Sequence, residues 1–345
     1  MATKAKTAID LFSGCGGLSL GLKQAGFKVI SAVEVEDKAV ETYRANHPDV
    51  VMVKDDIRSL DAEKLRKRLK LRIGQLTLLA GCPPCQGFSR LRTRNKKVFE
   101  SDERNDLIFD FLRFVEAFLP QNIMLENVPS LAKDRRFEIF RSKVESLGYA
   151  TAFHIADASD FGVPQRRRRL ILLASKSNTP LLPAPVRLKT TVRQAFQKVQ
   201  TPTSDALHNM EEFRSDRVKQ IIAAVPINGG SRNSLPAELV LNCHKASDGF
   251  RDVYGRMAWD QVAPTITSGC FNPSKGRFIH PDQNRTISLR EAALLQSFPP
   301  NYKFFPQHGK TSIALMIGNA LPPELIRQHA VQFISKSKVN LKQPG

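Results

Sequence analysis

Three constellations in this chain are built from residue types that do chemistry, and each sits at the end of a short apolar run. The first is the glycine-rich stretch Asp10-Leu-Phe-Ser-Gly-Cys-Gly-Gly-Leu18. Gly14, Gly16 and Gly17 permit a tight turn and let a ligand approach the backbone closely. Glu34 closes the next apolar run, where a carboxylate can accept both hydroxyls of a ribose. Asp55-Asp56 follow the third run, at the next place where a polar group can meet an adenine edge. Together these residues describe a cleft for an adenosine-containing cofactor. A dinucleotide or S-adenosylmethionine would suit such a cleft; Ser19 stands at the third glycine place of a G-x-G-x-x-G fingerprint, which weakens the nicotinamide reading.

The second constellation is Gly81-Cys-Pro-Pro-Cys-Gln-Gly-Phe-Ser89. A zinc site would need further ligands at close spacing, and Cys15, Cys243 and Cys270 make no second pair. A redox C-x-x-C would open a helix, but the chain is too large and too basic for a simple thioredoxin-like unit. The remaining reading is a nucleophilic thiolate, Cys85, held by the preceding prolines in the same cleft as the cofactor. A buried structural thiol is the default for an isolated cysteine; the strand-end position beside the glycine loop favours the nucleophile. The third constellation is Gln165-Arg-Arg-Arg-Arg169. Arg167 and Arg169 lie two apart on a strand and share one face, so Arg166 and Arg168 point the other way, to acids or solvent.

The elements that must position these groups alternate in type. Thr7–Phe12, Lys28–Val33, Val50–Val53, Leu76–Ala80, Asn122–Leu125 and Arg167–Ala174 read as strands. Leu18–Ala25 and Lys38–Asn46 read as helices, as do the stretches carrying Leu107, Phe111, Phe114, Val115 and Phe118, and Phe137, Phe140, Val144 and Leu147. Such alternation predicts an α/β fold, a parallel sheet with helices on both faces. Near Pro180 the periodicity weakens and prolines punctuate the chain, so about 183–285 reads as a smaller, irregular domain. Helical patterns resume at Leu289–Phe298 and Pro323–Ile334, the last expected to return to the first domain. Lys64–Arg72 is strongly basic and is expected on a helix, as a solvated face.

Composition narrows the partners. The 345 residues include 52 Lys+Arg and 33 Asp+Glu, a formal charge of +19, which rewards polyanions and nucleic acid above all. No apolar run approaches a membrane span, and Met1–Lys6 passes into the first strand without a signal-peptide core. Five cysteines argue for a reducing compartment rather than a disulfide framework. A cytoplasmic, nucleoid-associated protein is expected.

Phe12-Ser-Gly-Cys-Gly-Gly17, Pro84-Cys-Gln86, Glu126-Asn-Val128, Gln165–Arg169 and Gly318-Asn319 occur in the order seen in cytosine-5 DNA methyltransferases. The chain resembles that family, in its bacterial modification type, over about 1–180 and 263–335. The resemblance implies a Rossmann-like S-adenosylmethionine-dependent methyltransferase domain, residues 1–182 completed by about 286–345, with a target-recognition domain at 183–285. It implies Cys85 adding to cytosine C6, Glu126 bonding N3 and the exocyclic amine, and Arg167 and Arg169 directed at O2 and organising the nucleophile loop. Without its Asn-Val companions, Glu126 would read as a strand-end salt bridge. Attack from above the ring requires the base to be extruded from the duplex, and the basic Ser89–Lys97 reads as a loop closing over the DNA backbone. For the cofactor, the resemblance implies Phe12 on adenine, Gly14, Gly16, Gly17 and Leu18 around the methionine part, and Glu34 on the ribose. Asp56 and Ile57 would meet the adenine, Pro84 and Leu107 would lie close by, and Asn319 and Leu321 would complete the pocket. Arg285 and Arg290 match a late motif taken as structural support. The expected partners are double-stranded DNA and a cognate restriction endonuclease, with no metal, no membrane and a monomeric chain. A tRNA methyltransferase of the same architecture and a noncatalytic DNA-binding relative are the alternatives.

Overall fold

Short apolar runs rich in Val, Ile and Leu become strands buried on both faces, and the amphipathic stretches between them become the covering helices. The computed structural model describes residues 5–84, 106–199, 204–242 and 252–334. Its sheet-forming part runs β1 (Thr7–Leu11), α1 (Gly17–Gln24), β2 (Lys28–Glu34), α2 (Asp37–Asn46), β3 (Val51–Lys54), α3 (Ala62–Arg68) and β4 (Leu78–Gly81). It continues with α4 (Leu107–Phe118), β5 (Asn122–Asn127), α5 (Arg135–Ser146), β6 (Ala150–Asp157) and β7 (Arg168–Ser175). Helix starts are fixed locally: the Glu36 carboxylate accepts the Ala39 N–H at the head of α2, and Asp134 accepts that of Arg136 at the head of α5.

The strands form one seven-stranded sheet in the order β3-β2-β1-β4-β5-β7-β6. β7 pairs antiparallel with both its neighbours, Glu126 facing Ile171 and Phe153 facing Leu172, so the expectation of a wholly parallel sheet is corrected at that strand. The reason is the short link 158–167 between β6 and β7, which leaves no room for the crossover a parallel return requires. The reversal also decides function, because it starts β7 at the rim where the parallel strands end. A second correction concerns Lys64–Arg72. α3 stops at Arg68, Lys70 turns left-handed with φ of 55°, and Leu71 N–H returns to the Arg66 carbonyl, so only the first half of the basic run is helical.

Helices cover both faces. Phe111, Phe114 and Phe118 of α4 pack with Phe137, Phe140 and Val144 of α5 on one side of the sheet. Leu18 and Leu22 of α1 lie on the other side with Leu325 and Ile326 of the terminal helix. After Ser175 the described residues form helices and isolated bridges but no strand. These helices are α6 (Val192–Phe196), α7 (Asp216–Ala224), α8 (Leu289–Leu295), α9 (Lys310–Asn319) and α10 (Pro323–Ala330). α8 opens on a capping box of Ser288 and Glu291. A shared apolar core joins Val192, Phe196, Ile266, Phe278 and Ile287 to Leu289 of α8 and Ile313 and Ile317 of α9. No helix among the described residues is long and apolar enough to cross a membrane.

Candidate active site

β1 has β2 on one side and β4 on the other, so strand order reverses between β1 and β4 and a crevice opens at their carboxyl ends. A cavity of about 750 Å³ occupies it. Phe12, Gly14, Gly17 and Leu18 enter its wall from the loop after β1, Glu34 from the end of β2, and Asp56 and Ile57 from beyond β3. Pro84 follows β4, Leu107 begins α4, Glu126 ends β5, and Arg167 and Arg169 flank the start of β7. Asn319 and Leu321 reach the same wall from the far end of the chain. Gly16 does not line the cavity. Its φ is 99°, and a Cβ there would lie 2.5 Å from the His47 ring and 2.7 Å from the Tyr302 hydroxyl, so it serves the turn and the packing beneath it.

The glycine loop and Glu34 form one unit. Glu34 accepts the Gly14 N–H at 2.8 Å on one carboxylate oxygen and the N–H groups of Val35 and Glu36 at 2.9 Å on the other. Gly16 is the N-cap of α1, so no side chain caps that helix where it meets the cavity. Gly17 is required by contact, since a Cβ there would collide with the Leu321 carbonyl. Asp56 is engaged by Arg58, which grips its carboxylate at 2.6 Å and holds it below the usual carboxylate range. Beneath the loop, buried Asp10 accepts the Ser19 hydroxyl at 2.7 Å, and burial pushes its pKa up to about 7.

The opposite wall carries the catalytic candidates. Glu126 is 2% exposed; one oxygen forms an ion pair with Arg169 Nε at 2.8 Å and the other accepts the Cys82 thiol at 2.6 Å. Arg169 lies two positions from Ile171, the cross-strand partner of Glu126, and so stands diagonally from it on the same face. Arg167 is 3% exposed and donates to the Ile266 carbonyl at 3.0 Å; its Nε has no partner among the described residues. Burial first, and then the charge of Arg169, lowers its pKa to about 9. Arg166 and Arg168 are exposed, as strand alternation requires. Cys85, Cys243 and the basic Ser89–Lys97 lie outside the described residues. The three described thiols are all held protonated: burial raises Cys15 and Cys270 to about 12, and burial followed by the charge of Glu126 raises Cys82 well above its ordinary value.

Several supporting contacts are not legible in the motifs, although Asn127 and Gln165 stand inside them. Asn127 Nδ2 donates to the Pro83 carbonyl at 2.9 Å and ties the end of β5 to the Cys-Pro-Pro turn. Gln165 accepts the Ile266 N–H and donates to Gln296, whose amide in turn donates to the Ile317 carbonyl of α9. Thr265, Thr267 and Ser268 line the cavity from an irregular segment with no periodic signal. Only their neighbour Pro264 marks the segment in sequence. Arg285 grips Glu291 through two bonds of 2.7 Å, and Arg290 pairs with Asp205 and donates to the Tyr302 carbonyl at 2.8 Å, which makes both structural.

The family model for C-5 cytosine-specific DNA methylase matches residues 6–335. The Type II methylase M.HgiDII of Herpetosiphon aurantiacus is 35% identical over 335 residues, which is 92% of each chain. The Type II methyltransferase M1.HphI of Haemophilus parahaemolyticus is 33% identical over 344 residues, covering 97% of this chain and 88% of its own. A solved E. coli chain described as a DNA modification methyltransferase encoded within a prophage is 26% identical with a TM-score of 0.69, covering 96% and 99% of the two chains. A Rossmann-like sheet carrying its acid and arginines at one rim, matched along nearly its whole length, belongs to the C-5 cytosine-specific DNA methylase family.

Proposed function

We propose that this protein is a modification methyltransferase that transfers a methyl group from S-adenosylmethionine to C5 of cytosine within a short sequence of double-stranded DNA. In that role it protects a site that a cognate restriction endonuclease cleaves. The observation that carries the reading is the cavity itself: a glycine loop with a ribose-type carboxylate on one wall faces Glu126, Arg167 and Arg169 on the other. The residues fit the cofactor, because the start of α1 has no side-chain cap and nothing lies within 4 Å of where a Cβ on Gly14 would stand, so the loop leaves an open, backbone-lined cradle. Phe12 would face the adenine, Glu34 the ribose, and Gly14, Leu18, Asn319 and Leu321 the methionine part, with Asp56, Ile57, Pro84 and Leu107 around the ring. When bound, S-adenosylmethionine supplies an electrophilic methyl group on a sulfonium.

Cytosine C5 is a poor nucleophile until its ring is dearomatised. Cys85 as thiolate adds to C6, and the electron pair displaced from the C5–C6 bond makes C5 reactive. Glu126 bonds N3 and the exocyclic amine, and Arg167 and Arg169 face O2, so charge that builds on the ring meets groups already in place. Once C5 carries the methyl group, a solvent base takes the C5 proton, and the electron pair of that C–H bond re-forms the C5–C6 double bond and expels the Cys85 thiolate. The three described thiols are held protonated by burial, which leaves Cys85 and Cys243, and of these two Cys85 follows directly on Pro84 of the cavity wall. Residues 183–285 read the DNA sequence, while 1–182 and 286–345 hold the cofactor and the target base. Bisulfite sequencing of plasmid DNA from cells expressing the protein tests this, with methylated cytosines expected at one recurring sequence. Cys85→Ser should abolish them. Unmodified plasmid under active wild-type expression, or full methylation by the variant, would overturn the reading.

A further inference from the structure

The sheet order places β5 between β4 and β7, and Glu126 at the end of β5 is held from both neighbouring strands. Arg169 from β7 occupies one carboxylate oxygen, and Cys82, the residue after β4, occupies the other. These are the only side-chain partners of Glu126 among the described residues. A carboxylate terminus is loosely defined about its last torsion, and an ion pair on one oxygen with a hydrogen bond on the other fixes its plane. Each oxygen retains a second acceptor site, so the grip leaves room for a base edge. Arg167 Nε, buried beside this carboxylate without a partner among the described residues, marks the same wall as one still short of a ligand atom.

We propose that Cys82 is a positioning residue for the methyl-transfer reaction: its thiol and the Arg169 guanidinium clamp the Glu126 carboxylate in the plane that receives the target pyrimidine. The proposal rests on the role assigned above to Glu126. Cys82 acts through that residue and not on the base. Its burial next to a carboxylate keeps it a hydrogen-bond donor and unsuited to attack, so the two cysteines of Cys82-Pro-Pro-Cys85 have opposite duties.

Steady-state kinetics on methylatable DNA test the clamp with Cys82→Ala, Cys82→Gly, Cys82→Ser and, as control, Glu126→Ala. Loss of a donor to a charged acceptor predicts a fall in kcat of about tenfold for Cys82→Ala and Cys82→Gly. The KM for cofactor and for DNA should stay within about twofold, because ground-state binding is untouched. Cys82→Ser restores a donor and should recover kcat to within about threefold of wild type. Cofactor binding by calorimetry verifies folding of each variant; should one donor-less variant fail to bind, the other carries the comparison with serine. Wild-type kcat without the donor, or a serine variant as slow as alanine, overturns the proposal. If Glu126→Ala is inactive while Cys82→Ala is fully active, only the clamp fails; if Glu126→Ala is also fully active, the role of Glu126 itself fails.

Discussion

A buried carboxyl under the glycine loop makes stability depend on pH in an unusual direction. Asp10 is fully buried, bonds Ser19, and leaves its second oxygen without a partner among the described residues. Desolvation raises its pKa from 3.8 to about 7, so the folded chain keeps a proton that the unfolded chain releases. The associated stability is complete below about pH 4 and is lost as pH rises through about 7. Asp10→Asn removes the titration, and its stability relative to wild type should rise by about 3 kcal/mol between pH 5 and pH 8. Urea unfolding at both values checks this, and a constant difference would mean that Asp10 ionises normally. The Glu126–Arg169 pair behaves differently because both ends are charged and largely buried. Removing only the cation strands the carboxylate, so Arg169→Ala should destabilise by about 3 kcal/mol. The double variant Arg169→Ala with Glu126→Gln should regain most of that stability while remaining inactive. Recovery of activity in the double variant would count against a role for either residue in turnover.

At the scale of elements, single buried groups decide how irregular segments hold together. Arg256 is wholly buried and donates to the carbonyls of Ile222 and Val225 at the end of α7, to those of His280 and Gln283, and to Asn284 Oδ1. Arg256→Met leaves those acceptors unsatisfied and should cost about 3 kcal/mol or more. Because its partners all lie within 222–284, the variant should lose DNA affinity well before cofactor affinity; equal loss of both, by titration with each ligand, would contradict this. The same contrast between regular and irregular parts explains what the sequence made legible. β1, β2, β4 and β5 are readable as short, mainly buried apolar runs, β3 by its unbroken Val-Met-Val although only Val53 is buried, and the helices by a 3.6-residue apolar stripe. β6 escapes because it is an edge strand whose residues are mostly half-buried or exposed, with no run of burial to find. α9 escapes because Gly309 gives it no side-chain cap and because its Thr311 and two Ile residues do not advertise a helix. The direction of β7 is invisible to periodicity, which is the same for both directions; the length of the β6–β7 link settles it. Most cavity residues were legible as motifs, whereas Cys82, Asn127 and Gln165, although inside those motifs, act by contacts between distant parts of the chain that spacing alone does not reveal.

The whole molecule is organised so that both ends of the chain build one pocket. α10 lies against α1, where a Cβ on Gly21 would sit 2.5 Å from the Pro323 carbonyl, and the α9–α10 link lies against Gly17. Gly17→Ala should therefore push Leu321 out of the cavity wall and weaken cofactor binding by at least about tenfold, since a backbone contact cannot yield as a flexible side chain would. Unchanged affinity by calorimetry would show that the two chain ends are independent. DNA binding should depend on a different property, the surplus of positive charge. A formal charge of +19 on 345 residues favours contact with many phosphates, each releasing a condensed counterion. Affinity for a duplex should then fall linearly on a logarithmic plot against salt, with a slope near −0.9 for each phosphate contacted. Six contacts would cost roughly a thousandfold between 50 and 200 mM salt. Cofactor affinity should hardly move over that range, because the proposed pocket offers backbone groups and single side chains at short range rather than an array of charges. A flat DNA slope would mean that the surplus charge lies away from the duplex, and that base contacts within 183–285 carry the binding instead.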